Sequence, residues 1–299
     1  MANLRDLKGR ISSVKSIKQI TNAMKMVAAS KLRKSQEAVL NARPYADQVD
    51  RMLRILQKKN NYTPHPLLIP INPSGKELII IVTADKGLCG SFNSNIIRFA
   101  QKYLSNNPDC DLIFLGRKGY DYFRKHSAYR LVNDKTEVEN KKGDIISFFT
   151  GLSDISSLLD LHDIREEIIE FYNTGKYSKV IVIFNEFKSA IQQNLVYKQI
   201  IPIVPYEGDE VSMLDYVYEP DEMTIIEELG NRYVNVQLWH ILLESTAAEQ
   251  GARMTAMDNA TDNAEDLIDD LSLLYNRERQ AQITTQIIEV ASGAEAINN

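Results

Sequence analysis

The chain has 299 residues, enough for one large domain or two ordinary ones, and 44% of them are hydrophobic, which is sufficient for a real core. The net charge is −5, and the two cysteines argue against a disulfide framework and favour a reducing compartment. The longest apolar runs, such as VIVIF at 180–184, are far shorter than the roughly 20 residues that span a bilayer.

Prolines and charges divide the chain into parts. All nine prolines lie between Pro44 and Pro220, and a proline inside a helix costs about 3 kcal/mol, so long helices are favoured at the two ends. The first 60 residues hold 14 Lys or Arg against 4 Asp or Glu, whereas residues 209–299 hold 4 against 19. The predicted segments are an N-terminal helix (1–60), a linker (61–75), a central domain (76–208) and a C-terminal helix (209–299).

The N-terminal segment repeats apolar residues at steps of three or four, which is the spacing of one helix face. The repeat comprises Leu4, Leu7, Ile11, Val14, Ile17, Ile20, Met24 and Val27. Its average spacing is below 3.6 residues, which favours a left-handed supercoil with a partner helix.

The central segment alternates apolar strands with helices. KELIIIV is a predicted strand, followed by a glycine-bearing turn and a helix that begins around Ser91 or Asn93. DLIFLG is a second strand, RKGYDYFRKH a short helix, and DIREEIIEFYNTGKY a helix ending at Gly175. SKVIVIFNEF and NLVYKQIIPIVP are further strands. This order predicts a Rossmann-like α/β domain with a mostly parallel sheet covered on both faces.

The C-terminal segment contains a second helical repeat, with a strict 3-4 alternation. Its members are Met257, Ala260, Ala264, Leu267, Leu271 and Leu274. At about 1.5 Å per residue, a helix over most of 221–297 would exceed about 100 Å and does not fit inside one globule. The basic and acidic terminal helices therefore suit a long antiparallel coiled coil, with Trp239 marking where the C-terminal helix rests on the α/β domain.

The turn TADKGLCGSFN (83–93) is the first candidate for a ligand site. Gly87 and Gly90 could expose backbone N–H groups to a phosphate at a helix start, but the spacing matches neither GxxxxGK[ST] nor GxGxxG. Tight packing between strand and helix is the alternative. Cys89 is a candidate nucleophile at a helix N-terminus, or a buried structural thiol, since no histidine is near it in sequence.

Other patterns for chemistry are weak. The four histidines share no ligand spacing with each other or with cysteine, and DNATDNAEDLIDD lacks the glycine and glutamate of a calcium loop, so we expect no metal and no cofactor. The basic N-terminal segment could also be read as a transit peptide or a nucleic-acid-binding helix. Because the segment matches an acidic C-terminal partner helix, neither of these readings is favoured. We expect no nucleic-acid partner.

Five stretches of the sequence closely resemble one family. They are RISSVKSIKQITNAMKMVAASKLRKSQ (10–36), TADKGLCGSFN (83–93), YVYEPD (216–221), ARMTAMDNATDNAEDLI (252–268) and YNRERQAQITTQIIEVASGAEAI (275–297). Together they resemble the γ subunits of F-type ATP synthases, in the same order and spacing along the whole chain.

The resemblance implies a non-catalytic rotor stalk. In that family the terminal helices form a coiled coil inside a ring of three α and three β subunits, and the foot sits with ε on the c-ring of the membrane sector. Proton flow turns the c-ring and the stalk, and the stalk drives the β-subunit sites through their states of ATP synthesis, or the reverse in hydrolysis. An independent coiled-coil scaffold, expected to form a homodimer, and an α/β enzyme with a pocket at the DKGLCG turn are the alternatives.

The resemblance also implies contact residues. Residues matching the family's contacts with the α and β ring are Met24, Lys25, Arg279, Gln280, Thr284 and Glu289, the last two in a terminal signature that includes Gly293 and Ala294. Tyr216 and Glu219 match the foot that contacts the c-ring and ε. Gln286 stands where the signature usually has glutamate, which puts an ionic contact there in doubt.

The resemblance has two further consequences. The chain lacks the inserted cysteine pair of chloroplast γ subunits, so we expect no redox switching through Cys89 and Cys110. No cleavable presequence is recognisable, which predicts a bacterial protein bound peripherally to the cytoplasmic side of the cell (inner) membrane.

Overall fold

The computed structural model describes residues 4–59, 65–126, 129–131, 143–152, 161–189, 192–204, 219 and 221–298. Within them the elements run in the order α1 (Leu4–Lys59), β1 (Lys76–Val82), α2 (Phe92–Asn106), β2 (Cys110–Leu115), α3 (Arg117–His126), β3 (Tyr129–Leu131), β4 (Gly143–Phe149), α4 (His162–Asn173), β5 (Tyr177–Phe187), β6 (Gln193–Ile201) and α5 (Glu222–Asn298). The chain divides into two compact units, one of Met1–Ala28 with Arg253–Asn299 and one of Ala29–Ala252. The predicted α/β class with long terminal helices is confirmed.

The first unit is an antiparallel pair made of the beginning of α1 and the end of α5. Lys18 Nζ lies 2.7 Å from Glu265 Oε1, and Lys25 pairs with Asp258 about two turns further along. As residue numbers rise along α1, those of its partners fall along α5, so the helices run in opposite directions.

The contact face of α1 differs from the predicted one. Its less exposed positions are Leu4, Leu7, Ile11, Val14, Lys18, Thr21, Lys25 and Ala28, a regular 3-4 alternation. Ile17, Ile20 and Val27 are 51%, 59% and 59% exposed, so the predicted repeat is wrong at these positions, although Met24 is partly buried. Two successive three-residue steps after Val14 carry the apolar residues round the helix, away from the partner.

The contact face of α5 is also shifted. Met257 and Ala264 are buried as predicted, but Leu267 and Leu274 are 47% and 41% exposed. Leu271 is less exposed, as predicted, and the other less exposed positions are Thr261, Ile268 and Tyr275. The middle of the pair is therefore polar: the hydroxyl oxygens of Thr21 and Thr261 lie 2.8 Å apart, and directional contacts of this kind fix register better than apolar ones do.

The second unit is built on a six-stranded sheet in the order β3-β4-β2-β1-β5-β6. Its first five strands are parallel and β6 is antiparallel to β5. Leu78, Ile80 and Val82 of β1 belong to one core, with residues of α4 and α5. Ile79 and Ile81 belong to the other, with residues of α2 and α3. Alternate β1 residues thus fill both cores, as the sequence predicted.

Two strands of this fold were not predicted. The strands β3 and β4 lie in a stretch whose short apolar run, IISFF, follows many polar residues. The helix α1 continues through Pro44, which is exposed. A proline removes one backbone donor and crowds the preceding turn, and here the helix continues beyond it, with Ala46, Val49 and Leu53 buried.

A buried carboxylate ties four strands at the amino-terminal edge of the parallel sheet. Asp111 is fully buried on β2; its Oδ1 accepts the N–H of Asp144 on β4 at 2.9 Å, and its Oδ2 accepts the Tyr177 hydroxyl of β5 at 2.9 Å. Lys176 also contacts Oδ2, and Lys76 Nζ of β1 lies 3.7 Å from Oδ1. Burial alone would raise the pKa of Asp111, but the hydrogen bonds from Lys176, Asp144 and Tyr177 outweigh it and the pKa is lowered.

The corrected contact face predicts opposite effects at two adjacent residues. Ala28→Asp places a carboxylate at a position that is 1% exposed, and we expect it to destabilise the helix pair by about 3 kcal/mol. Val27→Asp should cost no more than about 0.5 kcal/mol, because its side chain points away from the partner. Urea titration of the full chain, monitored by circular dichroism at the helix band, measures both changes in unfolding free energy. Equal losses of stability in the two variants would contradict the corrected contact face and favour the repeat predicted from the sequence.

Removal of the Asp111 charge should destabilise the α/β unit. We expect Asp111→Asn to lower the free energy of unfolding by about 2 kcal/mol, because two buried donors lose a charged acceptor. Since the folded pKa is lowered, this stabilisation is present above the unfolded carboxyl pKa and is lost as pH falls through the folded pKa, so wild type and variant should converge in acid.

Urea unfolding followed by the fluorescence of Trp239, the single tryptophan, measures this difference. Asp109→Asn is the matched control, because that side chain is 72% exposed and pairs only with Lys76 at 3.2 Å among the described contacts. If the difference in unfolding free energy between wild type and Asp111→Asn did not change with pH, the stabilising role of the ionised Asp111 carboxylate would be contradicted.

Candidate functional site

The turn after β1 uses its polar groups to join neighbouring elements. Asp85 accepts the N–H of Arg117 at 3.0 Å and the N–H of Gly151 at 2.8 Å, so it links the start of α3 to the end of β4. Asn93 accepts the N–H of Ala84 at 3.0 Å and donates to the Cys89 sulfur at 3.2 Å. The interpretation of this turn as tight packing between strand and helix is confirmed.

The crevice beside this turn is closed by α5. Open α/β sheets usually bind ligands outside the carboxyl ends of their strands. Here the cavity at that place has a volume of only about 20 Å³, far below the several hundred that a small-molecule ligand occupies. Its walls are Val82, Thr83, Asp85, Leu115, Gly116 and Leu152, with Leu242, Ser245, Thr246 and Glu249 of α5. An enzyme pocket at the DKGLCG turn is therefore not supported.

A wider cavity of about 540 Å³ lies at the opposite edge of the sheet. Glu77 and Lys179 in its wall form an ion pair at 2.7 Å, and the Tyr103 hydroxyl donates to Glu77 at 2.9 Å. The charged and polar groups of these three side chains are thus paired with each other rather than directed towards a ligand. Within the described ranges, no group of three or more His, Cys, Asp or Glu residues is arranged to hold a metal ion.

Both cysteines are buried, and neither forms a disulfide within the described residues. Burial, followed by the charges of Glu77, Asp109 and Asp111, raises the pKa of Cys110 to about 12. Its sulfur lies 2.9 Å from the carbonyl oxygen of Asn107. A thiol with this pKa is not a nucleophile at neutral pH, since the thiolate is the reactive form.

The predicted contact residues near the start of α1 lie on the helix pair. Met24 is partly buried, and Lys25 is engaged by Asp258 of α5. Beside them Ile20 and Val27 are exposed. The charge of Lys25 is thus partly neutralised within the chain, and the exposed apolar residues around it form the surface that a partner could cover.

The predicted contact residues near the end of α5 are all exposed. Arg279, Gln280, Thr284 and Glu289 lie in a stretch where every side chain from 279 to 293 is exposed. Large apolar residues are interleaved with them: Ile283, Ile287, Ile288 and Val290 are 47%, 63%, 58% and 74% exposed. Exposed apolar side chains concentrated in one segment indicate a surface that another protein covers.

The structure places only one of the two predicted foot residues. Glu219 is exposed just before the start of α5, and Tyr216 lies outside the described residues. No described helix is long and apolar enough to cross a membrane.

A buried polar cluster was missed by the sequence reasoning. Glu244 of α5 is 3% exposed, and its Oε1 lies 3.4 Å from Arg43 Nη2 of α1 and 3.5 Å from His240 Nε2. Burial and the neighbouring Glu186 raise the pKa of Glu244, against the opposing effect of Arg43. Burial, Lys198 and Arg43 lower the pKa of His240. The sequence signal that could have revealed this cluster is the charged Glu244 within the largely apolar run WHILLESTAA.

Comparison with known proteins gives consistent matches over the whole chain. A family model described as ATP synthase matches residues 3–297. The chain is 43% identical over 318 residues to the ATP synthase gamma chain of Chloroherpeton thalassium, with 99% of each covered, and 42% identical over 304 residues to that of Prosthecochloris aestuarii, again with 99% of each covered.

Solved structures agree in fold. A chain of the central stalk/c-ring structure of the Tetrahymena thermophila mitochondrial ATP synthase matches with a TM-score of 0.58 and 25% identity, covering 81% of this chain and 99% of that one. A chain of the Euglena gracilis mitochondrial ATP synthase matches in fold with a TM-score of 0.66 at 18% identity, covering 98% and 94%.

The burial of both thiols predicts that they resist modification. We expect Cys89 and Cys110 to react with a thiol reagent at pH 8 at least a hundred times more slowly in the native chain than in urea, because access and thiolate formation both require opening. Time-resolved labelling with mass detection measures the two rates. Rapid native labelling of either residue would reopen a redox role.

Proposed function

The chain belongs to the family of ATP synthase gamma chains, and we propose how its two units serve as the central rotor stalk of the F1 sector. The subunit is non-catalytic: it couples rotation of the c-ring, driven by proton flow, to cyclic conformational change at the β-subunit sites that make ATP. In the reverse direction, hydrolysis at those sites turns the stalk. Its partners are the α and β subunits, the ε subunit and the c-ring.

The exposed end of α5 is the observation that carries this function. A stalk that biases catalytic sites in turn must contact them differently in each state, because only differential interaction shifts an equilibrium. A helix whose side chains at 281–293 are all exposed, four of them large and apolar, has its binding surface outside its own fold. An independent scaffold would instead cover this surface in a homodimer.

We assign the partner contacts as follows. Met24, Lys25, Arg279, Gln280, Thr284 and Glu289 contact the α and β ring, which the exposure of the four α5 residues supports. Glu219, and Tyr216 outside the described residues, contact the c-ring and ε. The helix pair of residues 4–28 and 253–298 then forms the shaft, and the unit of residues 29–252 carries the sheet.

We also propose a location. The subunit is held peripherally at the cytoplasmic side of the cell inner membrane, through the complex rather than by a segment of its own. The family resemblance to bacterial γ chains supports this assignment, and cell fractionation with the α and β subunits as markers tests it.

Assembly with α and β subunits tests the function. The tagged chain, purified from gently solubilised membranes, should bring down α and β in threefold excess over itself, with ATP hydrolysis that the isolated chain lacks. Recovery as a homodimer without a nucleotide-hydrolysing partner would favour the scaffold instead.

A substitution pair at the end of α5 tests the contact surface. Ile287→Asp should weaken assembly with α and β about tenfold or more, because it replaces an apolar side chain that the partners bury by a charge. Gln286→Glu is the matched control next to it, since the resembling family usually carries glutamate there, and it should assemble like wild type. Equal binding of both variants would place the interface elsewhere.

A further inference from the structure

The buried Glu244 side chain joins three elements of the α/β unit. Its carboxylate accepts a hydrogen bond from the backbone N–H of Phe187 at the end of β5, and Arg43 Nη2 of α1 lies 3.4 Å from its Oε1. Beside it, Leu243 packs with Val39 and Ala42 of α1, and Ala248 packs near Phe187. This one side chain therefore bonds both terminal helices to the end of a central strand.

A second polar contact lies on the same face of α5, seven residues earlier. Gln237 is 2% exposed, and its Oε1 accepts a hydrogen bond from Lys198 Nζ of β6 at 2.7 Å. Seven residues are about two helical turns, or roughly 10 Å along the axis. Two anchors at this separation, on neighbouring strands, resist both sliding and rotation of the helix on the sheet.

These polar groups do something that the surrounding apolar packing does not. Contacts among apolar side chains are non-directional, so a helix seated only on them can slip or turn at small cost. A hydrogen bond weakens steeply when its angle or length changes. A buried ion pair is often replaceable by apolar residues without loss of stability, so stability alone is a poor reason for a carboxylate at this position.

We propose that Arg43, Lys198, Gln237, Glu244 and the Phe187 N–H form a polar clamp that transmits torque between the α/β sheet and the helix pair. The inference rests on the proposed rotor function. In this reading α5 is held against rotation on the sheet at Gln237 and Glu244, and the same continuous helix carries that torque into its part beyond Arg253. Glu244, Gln237, Arg43 and Lys198 are positioning residues, because they touch neither nucleotide nor proton path.

Loss of the clamp should affect ATP hydrolysis and ATP-driven proton uptake differently. Loss of a merely structural contact would lower both together. Glu244→Gln removes the charge and keeps the size of the side chain. We expect ATP hydrolysis by the assembled complex to stay within twofold of wild type, because the contact surfaces on 4–28 and 253–298 are untouched. We expect ATP-driven proton uptake per ATP hydrolysed to fall at least threefold, because the shaft then turns without turning the sheet.

Inverted membrane vesicles holding the complete complex provide both measurements in one sample. Glu228→Gln is the matched control, since it makes the same change at an exposed position of α5, where Arg232 on the same helix lies 3.8 Å away. Arg43→Lys is the second variant: it retains the charge beside Glu244 and the fold, loses the fork of donors, and should lower the ratio in the same direction by less.

The outcomes are distinct. A lowered ratio in Glu244→Gln and Arg43→Lys, with Glu228→Gln at the wild-type value, supports the clamp. An unchanged ratio in both variants, or hydrolysis and proton uptake falling in equal proportion with assembly, overturns it. A wild-type chain that yields no hydrolysing complex would overturn the proposed function itself, a failure visible before any variant is compared.

Discussion

The seating of α5 on one face of the parallel sheet is the interaction on which the rest of the structure depends. Residues such as Val234, Leu238 and Ile241 share a core with Leu78 and Ile80 of β1. This burial holds α5 on the sheet. The helix thereby fills the crevice in which an α/β enzyme would bind its ligand. The part of α5 after Arg253 lies outside that core and packs instead with the start of α1.

Two kinds of polar contact supplement the apolar cores. Asp111 links the starts of several strands through buried hydrogen bonds, whose loss would leave donors without an acceptor. Thr21 and Thr261, with Lys18 and Glu265, occupy the middle of the helix pair, where a fully apolar contact would allow other registers. The exposed ion pairs contribute little energy, so we assign them to register rather than to stability.

The sequence predicted most helices and strands correctly, but it did not predict correctly which faces of the two terminal helices contact each other. The strands KELIIIV, DLIFLG and SKVIVIFNEF and the helices between them were found because each is a long, strongly patterned run. Strands β3 and β4 were missed, since a three-residue strand has no pattern and IISFF follows a polar stretch. The helix-pair contact was mistaken because Ile17 and Ile20 are as apolar as core residues but are exposed in the structure.

The sequence by itself determined the two long terminal helices, the parallel α/β sheet between them and the family, because periodicity, proline placement and long motifs are local properties. Only the tertiary structure decided which helix faces meet, that α5 closes the crevice beside the DKGLCG turn, and that Arg43 reaches Glu244 across 201 positions of the chain. These are decided by long-range packing: the neighbour that buries a side chain is set by how distant segments fold together, and a single sequence does not record it.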